Sequence, residues 1–281
     1  MKKQPTKDAA SPQVTYKPCL CTFVDVLGFR ALVKRSIQSA DARNRIHFIL
    51  KKFGENYHSK GIPGDQVRTE PSILVQQFSD SILRIVPLAN KLLKNGSVRP
   101  LDVLSEIVHE GIDLSCAQLS LLEEGITVRG GFTLGDLHWE GKEVFGPALV
   151  RAYDLQTDLA HYPRIVVDSE ITQRLSDSPD EAPSVFSWHT YFRRDFDGVW
   201  FVDFLRYFVA FSTPNIKFER KGYRSTFERI RAFLTKELLS DEGSISTRRA
   251  KYLWLAEYFN SVVEHAPANS GVDWAELRIR L

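Results

Sequence analysis

The sequence predicts an α+β fold: a strand, two helices, a hairpin, a long helix, a glycine-bearing strand, a helix and a further strand, followed by extra C-terminal strands and helices. Three observations predict it. Short apolar runs closed by glycine or proline read as buried strands, and longer segments repeat their apolar residues at helical spacing. A polar tip between two β-rich runs marks a hairpin. At 281 residues, with 43% hydrophobic and 26% charged, the chain can bury a substantial core in one or two domains.

The first strand ends in Thr22-Phe-Val-Asp25-Val-Leu-Gly28, an apolar run whose glycine turns it into a helix. Helices follow over Arg30–Ser39 and Asp41–Gly61; the second carries Ile46, Ile49, Leu50, Phe53 and Tyr57 mostly at helical spacing. Residues 61–65 form a loop. Ser72 to Pro87 holds two β-rich runs around the polar tip Ser79-Asp80-Ser81. Leu101–Glu124 is a long helix that Gly125 ends. Ile126–Asp136 is a strand whose glycines mark a bulge or the close approach of a ligand or another backbone.

Residues 142–147 read as a loop, and Pro147 sits at a favourable first-turn position for a helix over Ala148–Ala160. Arg164–Asp168 is a short strand, Ser169–Leu175 a helix, and 176–183 a polar surface loop. Thr190–Val209 reads as aromatic-rich strands around an Asp197-Gly198 turn. Helices over Tyr223–Leu239 and Ser246–Glu264 complete the chain. Taken together, the core order is βαββαβ, the ferredoxin-like arrangement with elaborations.

The net charge of +2 gives no electrostatic case for a nucleic-acid or membrane partner. No run approaches the ~18 apolar residues of a membrane span, and Met1–Tyr16 reads as a disordered lead-in rather than a signal peptide. The chain therefore reads as cytoplasmic. Cys19, Cys21 and Cys116 read as reduced packing residues, since too few soft ligands lie near them for zinc.

Asp25 raises the functional question. A carboxylate on a buried strand costs several kcal/mol unless something neutralises it, which allows a buried ion pair with an arginine, a capped strand end or a metal. Asp80 alone reads as a turn residue. In the βαββαβ arrangement the first strand and the hairpin lie side by side, so the two carboxylates would converge. Such a pair repels unless a divalent cation lies between, and oxygen-only ligation favours Mg²⁺ or Mn²⁺ over zinc.

Phe23-Val-Asp25-Val-Leu-Gly-Phe29, Phe78-Ser-Asp80-Ser, Val128-Arg-Gly-Gly131 with Gly135, and Phe145-Gly-Pro-Ala-Leu-Val-Arg-Ala-Tyr-Asp-Leu155 occur in this order. Together they resemble the class III nucleotidyl cyclases, and more closely the bacterial pyrimidine cyclases of the Pycsar antiphage systems. The segment Lys251-Tyr-Leu-Trp-Leu-Ala-Glu-Tyr-Phe-Asn260 is similar to the tail of that group, so the resemblance spans residues 19–260.

The resemblance implies a catalytic domain over residues 17–210 with a helical extension over 211–281 packed on it. It also implies a homodimer with active sites at the interface, and two Mg²⁺ or Mn²⁺ ions on Asp25 and Asp80. The positions that read the base fall on Gln76 and Glu143, neither of which suits adenine. The transition-state Asn and Arg positions fall on Val150 and Asp154, leaving Arg129 and Arg151 as replacements. Arg193 and Arg194 fall near the triphosphate-binding position. His47 and Tyr57 are further candidates for the pocket wall. The implied reaction converts UTP, or alternatively CTP, to a 3′,5′-cyclic nucleotide and pyrophosphate as a signal in antiphage defence. A catalytically dead nucleotide sensor is the alternative. An RNA-binding module of the same fold is disfavoured by the near-neutral charge and the lack of an aromatic ribonucleoprotein motif.

Overall fold

The structure, a computed structural model, describes residues 14–55, 73–88, 100–177, 188–210, 220–240, 246–267 and 272–281. Strand β1 (Lys17–Val26) has neighbours on both sides of one mixed sheet. It pairs antiparallel with β3 (Ser81–Pro87), whose hairpin partner β2 (Leu74–Phe78) forms that edge. On the other side it pairs antiparallel with the long β4 (Val128–Glu140), and β4 pairs parallel with β6 (Ile165–Val167). Beyond β6 lie β8 (Trp200–Val202) and β7 (Phe192–Arg194), giving the order β2-β3-β1-β4-β6-β8-β7. A short β5 (Glu143–Phe145) pairs with the end of β4.

Alternation along β1 sorts its side chains onto two faces. Leu20, Val24 and Val26 join the main core with α1 (Phe29–Ser36), α2 (Ala40–Lys52) and α3 (Pro100–Glu123). Cys19, Cys21 and the neighbouring Leu83, Ile85 and Leu137 face α4 (Pro147–Asp154), which contributes Ala148 and Ala152. All three cysteines are free thiols, and burial pushes Cys19 up to about 12, so it packs as an apolar group. Helix α4 lies close on β4 because Gly131 has no side chain: a Cβ there would meet the Ala152 carbonyl oxygen and come within 2.6 Å of Leu155 Cβ.

The C-terminal helices α7 (Arg220–Ser240) and α8 (Thr247–Glu264) complete the main core through Phe227, Ile230, Leu234, Leu255 and Phe259. The position of α8 is fixed by a buried hub. Arg164 is fully buried and bonds the carboxylates of Asp195 and Asp197 on the β7–β8 hairpin. Its guanidinium lies 5.3 Å from the Tyr162 ring centre and 5.7 Å from that of Trp254, and Trp254 Nε1 donates to Asp195 at 2.7 Å.

Several elements depart from the sequence reading. The first helix ends at Ser36 rather than Ser39, because Ser39 caps α2 by accepting a hydrogen bond from the Ala42 amide at 3.2 Å. The second ends at Lys52; the remainder of its expected span, Tyr57 and the loop at 61–65 fall outside the described residues. Residues 143–145, read as loop, form β5, because Gly141 at φ +57° closes a tight hairpin onto β4. The helix expected over Ala148–Ala160 is α-helical only to Asp154 and continues as a π-turn over Leu155–Leu159. Residues 204–209, read as strand from their aromatic content, belong to helix α6 (Phe204–Ala210): its buried residues are 204, 205, 208 and 209, a helical spacing that packs on α3 and α8. The loop expected at 176–183 lies largely outside the described residues.

Candidate functional site

Asp25 is the penultimate residue of β1 and stands opposite Ser81 of β3 on one side and Arg129 of β4 on the other. The Val26 amide donates to the Asp80 carbonyl at 3.0 Å. Asp80 therefore sits in the β2–β3 turn directly beside the end of β1. Ser79, at φ +60°, makes that two-residue turn possible. The sequence expectation that the first strand and the hairpin tip meet thus describes the backbone correctly.

The carboxylate of Asp25 has a cationic neighbour. Arg129 Nε donates to Asp25 Oδ2 at 2.9 Å, with side chains 28% and 19% exposed respectively. Gln156, on the π-turn after α4, accepts from Arg129 Nη2 at 3.0 Å in the amide orientation that satisfies both groups. Lys251 of α8 is also close: burial pushes its pKa down and the charge of Arg129 pushes the same way, while Asp25 opposes them. Asp25 thus takes the ion-pair option that the sequence left open, in a setting only partly open to solvent.

The donor set nevertheless suits a hard divalent ion. Mg²⁺ is commonly held by one or two carboxylates, with waters and substrate phosphates completing its shell, and Asp25 and Asp80 supply that number. Arg129 engages one oxygen of Asp25, and an ionised carboxylate offers about four lone-pair sites. Among the described residues no group of three or more His, Cys, Asp or Glu gathers as a metal cluster.

Arg151 of α4 is held elsewhere. Its Nε and Nη2 donate to Asp168 Oδ2 and Oδ1 at 2.9 and 2.7 Å, and Thr133 of β4 donates to the same carboxylate at 2.6 Å. Burial pushes the Asp168 carboxyl up, but the bonds from Arg151 and Thr133 outweigh it and hold it below the usual carboxylate range. This bidentate clamp joins α4, β4 and the start of α5 (Ser169–Ser176).

The remaining site residues disperse over the sheet. Gln76 lies on β2 opposite Leu83, which is opposite Phe23, so it shares the sheet face of Asp25 two strands away, roughly 10 Å. Glu143 pairs with Glu140 at the far end of β4, eleven residues from Arg129 and so roughly 35 Å of strand away. Arg193 bonds Ser261 at 2.8 Å and lies 5.8 Å from the Tyr258 ring centre, while Arg194 bonds the Gly198 carbonyl at 3.0 Å. Both belong to β7, four strands from β1. His47 is exposed on α2. Gly130 and Gly131, expected to admit a nucleotide or partner backbone, instead admit this chain's own: the nearest atoms to a Cβ at those positions belong to β1, β6, α4 and the π-turn.

Lys251, Gln156 and Asp168 were missed as site residues. Lys251 carried a signal, because it opens the tail segment already singled out. Gln156 carried none, since its direction depends on a π-turn that periodicity does not reveal. Comparison with protein-family models returns no match, and comparison with curated proteins returns none.

Proposed function

We propose that this chain is a class III-like nucleotidyl cyclase acting on a pyrimidine nucleotide, converting UTP to 3′,5′-cyclic UMP and pyrophosphate as a signal in antiphage defence, with CTP as the alternative substrate. The observation that carries this reading is the adjacency of Asp25 and Asp80, with the Val26 amide bonded to the Asp80 carbonyl at 3.0 Å. The strand order β2-β3-β1-β4, all antiparallel, with a helical segment between β1 and β2 and α3 between β3 and β4, supports a ferredoxin-like cyclase core.

On this reading Asp25 and Asp80 hold Mg²⁺ or Mn²⁺. Such ions, when bound, lower the pKa of the ribose 3′-hydroxyl and offset charge on the departing pyrophosphate. Arg129, already beside Asp25, is placed to turn from that carboxylate toward the α-phosphate and stabilise charge there. Arg151 is the weaker candidate for that role because Asp168 holds its guanidinium bidentately. Gln76 shares a face with Asp25, whereas Glu143, Arg193 and Arg194 can complete the same site only from a second protomer. A homodimer is therefore part of the proposal.

The test is incubation of the purified chain with each of the four nucleoside triphosphates plus Mn²⁺, with products identified by mass. One cyclic pyrimidine nucleotide is expected, and Asp25→Ala and Asp80→Ala should each abolish it. Turnover retained in both variants overturns the reading. A second reading, a nucleotide-binding sensor without turnover, is favoured by the engagement of both candidate arginines in ion pairs. Nucleotide binding without pyrophosphate release in the unmodified protein would select it.

A further inference from the structure

The net charge of +2 hides an uneven distribution. Residues 29–52, which span α1 and α2, carry seven Lys and Arg against the single acid Asp41, so the rest of the chain is net acidic. These cations do more than serve their own helices. Lys34 and Arg35 stand in the last turn of α1, where a cation favours the helix dipole, but Arg30 stands in the first turn, where it opposes it.

Helix α1 buries Phe29 and Leu32 in the main core, yet its outer side is not purely polar. Arg30, Val33, Lys34 and Ile37 follow the i, i+3, i+4, i+7 spacing of one helix face, and all four are exposed. Ile37 keeps helical backbone angles at the C-cap, so it stays on that face. At 80% exposed it is the most open large hydrophobic residue among those described, and Val33 is 41% exposed. Arg43 of α2 reaches the same corner, its Nη1 donating to the Ser36 carbonyl at 2.6 Å. Among the described residues, Arg30, Lys34 and Arg43 pair with no carboxylate.

Exposed apolar side chains set among unpaired cations match a surface that is acidic outside and apolar beneath. An anionic bilayer has that layering: its headgroups attract Lys and Arg, and its acyl boundary takes up apolar side chains of a helix lying in the interface. An acidic protein segment would match the cations alone. The contact needs no membrane-spanning helix, and none of the described helices is long and apolar enough to be one. We propose that the outer face of α1, with Arg43, docks on an anionic lipid bilayer, Val33 and Ile37 entering the headgroup region and Arg30, Lys34 and Arg43 meeting lipid phosphates. The proposal stands apart from the cyclase reading, because it needs neither nucleotide nor metal.

It is tested by sedimenting the full chain with vesicles of equal parts phosphatidylglycerol and phosphatidylcholine, and separately with phosphatidylcholine vesicles, at about 0.1 M salt. The chain should pellet with the anionic vesicles and stay in solution with the others. The double variant Arg30→Gln with Lys34→Gln should weaken partitioning by about twentyfold, since two surface cations are lost. Ile37→Ser leaves the charge intact and should weaken it by about tenfold. Both variants alter exposed side chains, so their urea midpoints should match the parent's, and Arg30→Lys with Lys34→Arg should bind like the parent. The proposal is overturned if the parent does not pellet with anionic vesicles, if it pellets equally with phosphatidylcholine, or if the double variant binds like the parent. It is also overturned if Ile37→Ser leaves binding unchanged, the outcome expected of a face built for an acidic protein.

Discussion

Arg84 and Arg129 lie on the two strands that flank β1, and each bonds acidic side chains, yet they inhabit opposite environments. Arg84 is 1% exposed and faces α3, where its Nε and Nη2 reach Glu110 at 2.7 Å and Asp113 at 2.5 Å and its Nη1 reaches the Phe53 carbonyl at 2.7 Å. Burial pushes its pKa down, but the two carboxylates outweigh that and hold it above its ordinary value. Arg129 reaches one oxygen of Asp25 at a strand end, with both groups partly wet. A buried network of this kind is fixed, since any group released from it is left charged without water. A pair that keeps partial contact with water, as this one does, can exchange its partner at lower cost than a fully buried one. The difference separates a structural ion network from one able to take part in chemistry.

The sharpest way to break the contrast is Arg84→Met. It removes from Glu110 and Asp113 the guanidinium that bonds them in the core and should cost about 3–5 kcal/mol in urea unfolding. Replacing the three together with Met, Leu and Leu should recover much of that loss, because the desolvated charges of all three are removed together. Next comes Gly131→Ala, whose Cβ collides with the Ala152 carbonyl oxygen; forcing α4 off the sheet should cost about 1–3 kcal/mol by the same measurement.

Asp168 lies between the two extremes, being buried but paired with an exposed arginine. Its folded pKa is below the ordinary value near ~4, so its contribution is present above that value and is lost as pH falls through the folded pKa. Asp168→Asn should therefore unfold at lower urea than the parent at pH 7, and the gap should narrow when both are measured near pH 3. The smallest effect is expected for Arg129→Ala, within about 0–1 kcal/mol. A loss there as large as that for Arg84→Met would erase the distinction between the two sites.

Much of the fold was legible because burial leaves periodic traces. The 24-residue α3, the β2–β3 hairpin and α8 all carried their pattern openly. Where elements were short, legibility failed: β5 has three residues, and α6 is a seven-residue helix written in strand-forming aromatics. At the site, the backbone adjacency of Asp25 and Asp80 could be read from strand order alone. The Asp25–Arg129 bond could not, since it depends on the register between β1 and β4. The clamp of Arg151 by Asp168 depends on how closely α4 lies on a glycine of β4, a packing fact with no local signature. The distance of Glu143 from Arg129 likewise follows from β4 running on to Glu140, the partner of Glu143 and eleven residues past Arg129, beyond the strand end expected at Asp136.

The hub around Arg164 has a consequence for how this chain can be cut and recombined. Trp254 and Lys251 are three residues apart on α8, hence on adjoining parts of one helix surface, and Trp254 is anchored to Asp195. Whatever Lys251 does at the end of β1 is thus indexed by a ring and a carboxylate more than fifty positions apart in sequence. Grafting a foreign C-terminal helix onto this core would deliver a lysine to the right height only if Arg164, Asp195 and Trp254 travelled with it. The interchangeable unit is this interlocked set, and a boundary drawn at residue 211 would split it.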